Sequence, residues 1–171
     1  MLKKEMQDAI NAQINEELYS SYLYAAMVNY FEQANLKGMA AWMRIQVQEE
    51  LMHASKMFQF VLDRGGEVSL SAIKAPTAKW ASPLAAWKAA YKHECHISEC
   101  INALYSKAAA CKDPASTIFY EWFVTEQVEE EANVSDIVAQ MTLVEGAPGG
   151  LFLLDRELGT RTLPAAGTAA T

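Results

Sequence analysis

Apolar residues recur along the chain at alternating spacings of four and three, in four long runs that proline and glycine separate. The first run, Met1 to Lys37, contains neither breaker and carries the row Ile10, Ile14, Glu17, Ser21, Tyr24, Val28, Phe31. The second opens at Gly38, ends at Gly65-Gly66 and carries Met39, Met43, Gln46, Glu50, His53, Met57, Phe60. The third starts at Ser82-Pro83, a helix N-cap followed by a first-turn proline, and ends near Cys111-Lys112. Its row is Leu84, Trp87, Tyr91, Glu94, Ser98, Ile101, Tyr105. The fourth repeats the start signal at Asp113-Pro114, stops at Gly146 and carries Tyr120, Phe123, Gln127, Glu130, Val134, Ile137, Met141, Val144. Each row is the stripe that a helix buries in a bundle.

The runs predict four helices of about 26 to 34 residues, roughly 40–50 Å long at 1.5 Å per residue. Short joins make the first and second, and the third and fourth, antiparallel hairpins. The join between the second and third, Glu67 to Ser82 and its flanks, is long enough to run the length of the bundle. The fold class is therefore all-α: a four-helix up-down bundle with one long crossover, the ferritin-like connection. After Pro148-Gly149-Gly150, the apolar piece Leu151 to Leu158 predicts a short C-terminal fifth helix. Residues 1–158 form one domain on this reading, and the Thr-, Ala- and Pro-rich tail 159–171 is expected to be weakly ordered.

Each row is interrupted by polar residues, and the interruptions carry the chemistry. Glu50 and His53 are three apart, so a helix points both the same way, into a stripe that is otherwise core. Glu17, Glu49, Glu50 and His53 recur 77 residues later as Glu94, Glu126, Gln127 and Glu130. Counted from the hairpin turns, all these positions fall at one level near mid-bundle. Buried unpaired charge is expensive. No Lys or Arg stands on the rows near this level, so the carboxylates of Glu17, Glu50, Glu94 and Glu130 would repel one another without a cation. Two divalent metals satisfy the set, with Glu50 bridging, Glu17 and His53 completing one site, and Glu94 and Glu130 the other. Oxygen-rich ligands with a single imidazole suit iron or manganese better than a closed zinc site. The metal-free alternative is a buried hydrogen-bonded network.

Composition narrows the class. The chain has 171 residues and a net charge of −7, which argues against nucleic acid and is compatible with cations. No apolar stretch reaches membrane-span length. The N-terminus runs into an amphipathic pattern without a signal core, so no export signal is expected. Cys95, Cys100 and Cys111 read as free thiols of a reducing compartment, and a cytoplasmic location is expected.

The pattern Glu17, Glu50-x-x-His53, Glu94, Glu126-Gln127-x-Glu129-Glu130 resembles that of the ferritins, most closely the non-haem bacterial branch. The likeness runs from Leu2 to about Leu158 and includes Glu16 to Tyr24 and Tyr91-Lys92-His93-Glu94. The resemblance implies oxidation of Fe(II) by O2 or H2O2 at a di-iron ferroxidase centre and storage of ferric mineral inside a homo-oligomeric shell of 24 subunits. It gives Gln127 a nearby hydrogen-bonding role and not that of a strong ligand. It also implies a third iron site from Glu49, Glu126 and Glu129 with Glu130, where the plain alternative is a solvated acidic face. Tyr24, one heptad from Glu17 on the same row, is a candidate to bond a ligand carboxylate and donate an electron during oxidant reduction, the plain alternative being a buried Tyr bonded to a core acid. Trp122, four before Glu126, is a second redox candidate or simply a core or interface residue. His93 and His96, off the row, read as surface residues. In the family the short last helix packs around a fourfold axis, so the apolar Leu151–Leu158 piece is expected at a subunit contact, the plain alternative being that it folds back onto its own bundle. Asp113, Thr117 and Glu121 lie where the family forms threefold pores and are not assigned.

Three departures bear on neighbouring families. Bacterioferritins bind haem through a Met directly after the bridging Glu, where this chain has Leu51 and places Met52 one residue on; no haem is expected. Gln127-x-x-Glu130 also replaces their second Glu-x-x-His, and the Cys₄ module of rubrerythrins is missing. A haem-binding bacterioferritin and a di-iron oxidase or oxygenase acting on an organic substrate remain the alternatives.

Overall fold

The computed structural model describes residues 1–163. Among them it has five helices and no strand: α1 (Lys4–Gln33), α2 (Lys37–Asp63), α3 (Pro83–Ala110), α4 (Pro114–Leu143) and α5 (Pro148–Leu158). The all-α bundle with one long crossover and a short fifth helix is as expected from the rows. Residues 64–82 link α2 to α3 without regular structure. Two boundaries differ from the sequence reading. α4 ends at Leu143, three residues before Gly146, and α5 begins at Pro148, three before Leu151. Proline at a first helical turn lacks only an N–H that would be unpaired anyway, so Pro148-Gly149-Gly150 starts the helix instead of preceding it.

The helix ends follow from local chemistry. The Ser82 hydroxyl accepts from the Ala85 N–H at 3.1 Å, and the Asp113 carboxylate accepts from the Ser116 N–H at 3.3 Å. The two hairpins turn alike: Asn35 (φ 58°) and Lys112 (φ 52°) both take the left-handed conformation. The following N–H then reaches back, Leu36 to the Phe31 carbonyl at 2.9 Å and Asp113 to the Ala108 carbonyl at 3.1 Å. These positions are also 77 residues apart, so the repeat seen in the polar residues extends to the turns.

The core is divided in two. One cluster gathers Met27, Phe31, Met39, Met43, Trp87, Ile137 and Met141, with Trp42 set edge-on against Trp87 at 4.9 Å. The other gathers Met6, Ile10, Ile14, Met57, Val61, Ile101, Tyr120 and Phe123. The polar positions of all four rows lie buried between them.

α5 docks onto its own bundle. Leu154 is buried and Leu151 and Leu158 pack on the first cluster, while Phe152 and Leu153 stay exposed. No side chain within α2 caps its start; Asp155 of α5 does so instead, its carboxylate accepting from the Met39 N–H at 2.8 Å. Glycine is required beside this contact, because a Cβ on Gly38 would lie 1.5 Å from the Asp155 carbonyl oxygen. The clash falls on backbone and cannot be relieved by a side-chain rotation. Gly38→Ala is therefore expected to destabilise by about 1–3 kcal/mol, the usual range for overpacking. Denaturant unfolding with limited proteolysis near residues 144–147 reads this out, and an unchanged midpoint with unchanged cleavage would refute it.

Candidate metal centre

Four helices bring one side chain or more each to the mid-bundle layer. Glu17 (α1), Glu50 and His53 (α2), Glu94 (α3), and Gln127 and Glu130 (α4) are all buried. Among the described residues, Glu17, Glu50 and His53 alone form a group of three in which each offers a ligand atom within 4.8 Å of the others; neither Glu94 with Glu130 nor Glu49 with Glu126 and Glu129 is brought into such a group. His53 Nδ1 lies 3.4 Å from Glu50 Oε2 and 4.0 Å from Glu17 Oε2. Glu17 Oε1 accepts from the Gln13 amide at 2.8 Å. Its other oxygen, Oε2, is buried and accepts no hydrogen bond among the described residues. A carboxylate oxygen left bare in the interior, facing an imidazole nitrogen and a second carboxylate, has the donor chemistry for a cation.

A second knot forms about Glu94. The Tyr24 hydroxyl donates to its Oε1, and the Gln127 amide donates to its Oε2 at 3.3 Å and to Ser98 Oγ at 3.3 Å. Gln46 ties the halves together: its amide donates to Glu50 Oε1 at 3.0 Å and to Glu130 Oε2 at 2.9 Å.

Low dielectric and like charge set the protonation of the layer. Burial pushes the Glu17 carboxyl up to about 8, with the Glu50 charge adding to it. Burial likewise pushes Glu94 up to about 8, with Glu130 adding. Glu50 is held well above the ordinary carboxylate range by burial and then by Glu94 and Glu130. Glu130 is raised by burial and then by Glu49. Near neutral pH without a cation, the acids thus hold protons between them; a metal would take the place of those protons.

The residues of the third group lie at one edge of this layer. Glu49 is buried, Glu126 half-buried and Glu129 exposed. No hydrogen bond joins these three to one another among the described residues. Glu49 is instead held by Arg161, whose Nη2 donates to its Oε2 at 2.5 Å. The same guanidinium donates through Nη1 to Gln46 Oε1 at 2.9 Å and lies 4.0 Å over the Trp42 ring. Arg161 follows α5, in the stretch 159–171 whose composition reads as weakly ordered; residues 159–163 are described, and 164–171 lie outside the described residues. No sequence signal pointed to this arginine, which is 112 residues from Glu49.

The aromatic candidates flank the layer on two sides. Tyr24 is buried beside Glu94, and burial first, then the Glu94 charge, raises its phenol. Trp122 sets its ring 5.6 Å from His53, edge to face, and carries Lys56 Nζ 3.2 Å over its own face. His93 is half-buried, not a surface residue: it bonds Ser20 Oγ at 2.7 Å and meets Tyr19 and Tyr24 edge-on. His96 is exposed, as expected. Tyr120 was read only as a row residue, yet its hydroxyl is buried without a partner among the described residues.

A four-helix bundle with one long crossover, a docked fifth helix and a glutamate layer holding one histidine defines the ferritin-like class of protein. The ferritin-like domain of the ferritin family matches residues 7–144. The bacterial non-heme ferritin of Bacteroides fragilis (strain 638R) is 40% identical over 161 residues, covering 94% of this chain and 100% of that one. The bacterial non-heme ferritin of Escherichia coli O157:H7 is 35% identical over 160 residues, covering 94% and 97%. Among solved structures, a closed form of Archaeoglobus fulgidus ferritin engineered by site-directed mutagenesis superposes with a TM-score of 0.94 at 46% identity, over 96% of this chain and 100% of that one. An open-pore ferritin from the same hyperthermophilic archaeon gives 0.93 at 47% identity, over 95% and 99%. The chain belongs to the ferritin family, which assigns it to iron storage. No helix among the described residues is long and apolar enough to cross a membrane.

The protonation of the layer makes stability depend on pH. Glu17 and Glu94 titrate near 8 in the fold against an ordinary 4.5. Below 4.5 both states are protonated. Between the two values the fold keeps protons that the unfolded chain has released, so rising pH favours unfolding until the loss is complete above about 8. The metal-free protein is expected to lose thermal stability from pH 5 to 8 and to level off beyond, and Glu17→Gln is expected to flatten that slope. Differential scanning calorimetry across this range checks it; a melting temperature that rises with pH over the window is the contrary result.

Proposed function

We propose that the chain is a ferroxidase as well as a storage protein: it oxidises Fe(II) at a two-iron centre and stores ferric mineral inside a 24-subunit shell. The observation that carries this reading is the bare, buried Glu17 Oε2 facing His53 Nδ1 at 4.0 Å within the Glu17, Glu50, His53 group. Iron is here the substrate. Glu17 and His53 hold one Fe(II), Glu94 and Glu130 the other, and Glu50 bridges them. Gln127, donating to Glu94, fixes that carboxylate and binds metal weakly at most. Binding displaces the protons that burial keeps on Glu17 and Glu94.

Two Fe(II) supply two electrons. With O2 and two protons the products are two Fe(III) and H2O2; with H2O2 and two protons they are two Fe(III) and two waters. The displaced carboxyl protons are of the kind this balance consumes. Tyr24, bonded to Glu94, is the candidate donor of an additional electron, and Trp122, against the His53 ring, is the second. Glu49, Glu126 and Glu129 with Glu130 make a third, all-carboxylate iron site. Without nitrogen ligation and nearer solvent it binds more weakly than the pair. The exposed Phe152 and Leu153 of α5 supply apolar surface for subunit contact in the shell. A cytoplasmic setting and free thiols at Cys95, Cys100 and Cys111 fit the same reading.

Crystals exposed to Fe(II) without oxygen are expected to hold two metals about 3.5–4 Å apart, the spacing of two-metal sites. Widely separated single ions, or none, would overturn the centre. Loss of even an outer partner of a metal ligand costs on the order of 10–100-fold. His53→Ala is therefore expected to slow the stopped-flow oxidation rate at least that much with helicity and assembly intact. An unchanged rate removes His53 from the ligand set. Glu49→Ala with Glu126→Ala is expected to leave the pair bound and to alter the Fe(II) oxidised per O2; identical stoichiometry and turnover would reduce the third site to an acidic surface.

A further inference from the structure

Arg161 supplies positive charge at the edge of the glutamate layer from outside the four-helix rows. It is placed there by a built contact, not by chance of a loose end. Gly38 lets the α5 backbone approach α2, Asp155 caps α2, and the Gly159 N–H returns to the Asp155 carbonyl at 3.1 Å. Two residues on, the Arg161 side chain lies along one face of α2, over Trp42 and onto Gln46 and Glu49, residues spaced four and then three apart. The side chain is only 19% exposed. Stacked and forked in this way, a guanidinium loses little further freedom on bonding a carboxylate.

Glu49 has one carboxylate, and Arg161 already holds its Oε2. A third Fe(II) taking that oxygen competes with the guanidinium for its electron density and meets the repulsion of a like charge beside it. A cavity of about 320 Å³ adjoins it, lined by Trp42, Asn133, Asp136, Glu157 and Arg161 among others, so a displaced guanidinium has room and two further acids beside it. Arg161 makes no hydrogen bond to a two-iron ligand: Gln46 stands between, its amide nitrogen engaged by Glu50 and Glu130, and the guanidinium reaches Glu130 through its charge alone.

We propose that Arg161 is a tethered counter-cation for the third site, competing with Fe(II) for Glu49 and so setting how readily that site fills, with a smaller effect on the two-iron pair through Glu130. The inference rests on the ferroxidase reading above. It makes the third site conditional: the charge that the site needs is present in the empty protein as an arginine, and iron occupies it only when the local Fe(II) concentration outcompetes the tether.

The test is anaerobic Fe(II) titration by calorimetry on the assembled parent, Arg161→Gln, Arg161→Lys, and Arg161→Gln combined with Glu49→Gln, with anomalous maps of Fe(II)-soaked crystals. Removing the competing charge is expected to tighten the weak third binding event by about tenfold, the change that 1.4 kcal/mol makes, while the two tight events shift by less than that. Arg161→Lys keeps the charge without the fork and is expected to fall between parent and Arg161→Gln. The double variant is expected to lose the gain, since Glu49 is what the two cations contest. Identical third-site affinity in parent and Arg161→Gln, or a third site lost when Arg161 is removed, overturns the inference while leaving the two-iron reading standing. Should Arg161→Gln fail to assemble, the Arg161→Lys titration decides, and parent-like third-site affinity there overturns the inference. A parent that binds no pair of irons overturns the ferroxidase reading and this one together.

Discussion

Like charge in a low dielectric is the constraint on which the rest of this molecule depends. Five carboxyls, those of Glu17, Glu49, Glu50, Glu94 and Glu130, are buried at one level with a single imidazole. No apolar packing compensates such a layer; an unpaired buried ion costs several kcal/mol. The metal-free fold meets the constraint with protons and with three amides. Gln13, Gln46 and Gln127 each donate to one or two of the carboxylates. The layer in turn divides the core into two clusters, so each end of the bundle is held by its own apolar packing.

The two hairpins are alike in backbone and unlike in chemistry. Their turns match at a 77-residue offset, and so do Glu17 with Glu94 and Ser21 with Ser98. The departures fall in the layer itself. Glu50 corresponds to Gln127, His53 to Glu130, and Gln46 to Phe123. One hairpin thus brings Glu17, Glu50, an imidazole and the amide of Gln46 that spans both halves; the other brings Glu94, Glu130 and the amide of Gln127. The repeated backbone fixes the height of every donor, and the substitutions make the two halves inequivalent. The aromatic neighbours divide the same way, Tyr24 beside Glu94 and Trp122 beside His53.

How much of this was legible in the chain follows from the range of each interaction. The rows, the hairpin pairing and the level of the layer rest on periodicity and on Pro and Gly punctuation, which act within a turn or two of helix. Ser82-Pro83 and Asp113-Pro114 mark the starts of α3 and α4 because capping is local. Pro148-Gly149-Gly150 misled, because the two glycines mask the first-turn preference of Pro148. Arg161 was out of reach for a different reason. Its partners lie 112 and 115 residues away, and the contact depends on the Gly38–Asp155 approach that no spacing rule encodes. His93 looked superficial because it sits off the α3 row, yet the neighbouring α1 covers it through Ser20 and Tyr19.

The fifth helix ties the second helix to the glutamate layer. α2 begins without a side-chain cap of its own and is completed by Asp155, so the hairpin that carries Glu50 and His53 depends on α5 for its first turn. The same docking delivers a guanidinium to Glu49. At the centre of the layer the acids face one another with protons and amides between them; at its edge one acid is already neutralised by an arginine. Burial still raises Glu49 above the ordinary carboxylate range, and Arg161 acts in the opposite direction. The layer is therefore graded, from acids that must be discharged by protons or a metal to one that carries its own cation. The edge of that grading rests on the close approach of the Gly38 backbone to Asp155, beyond which Arg161 meets Glu49.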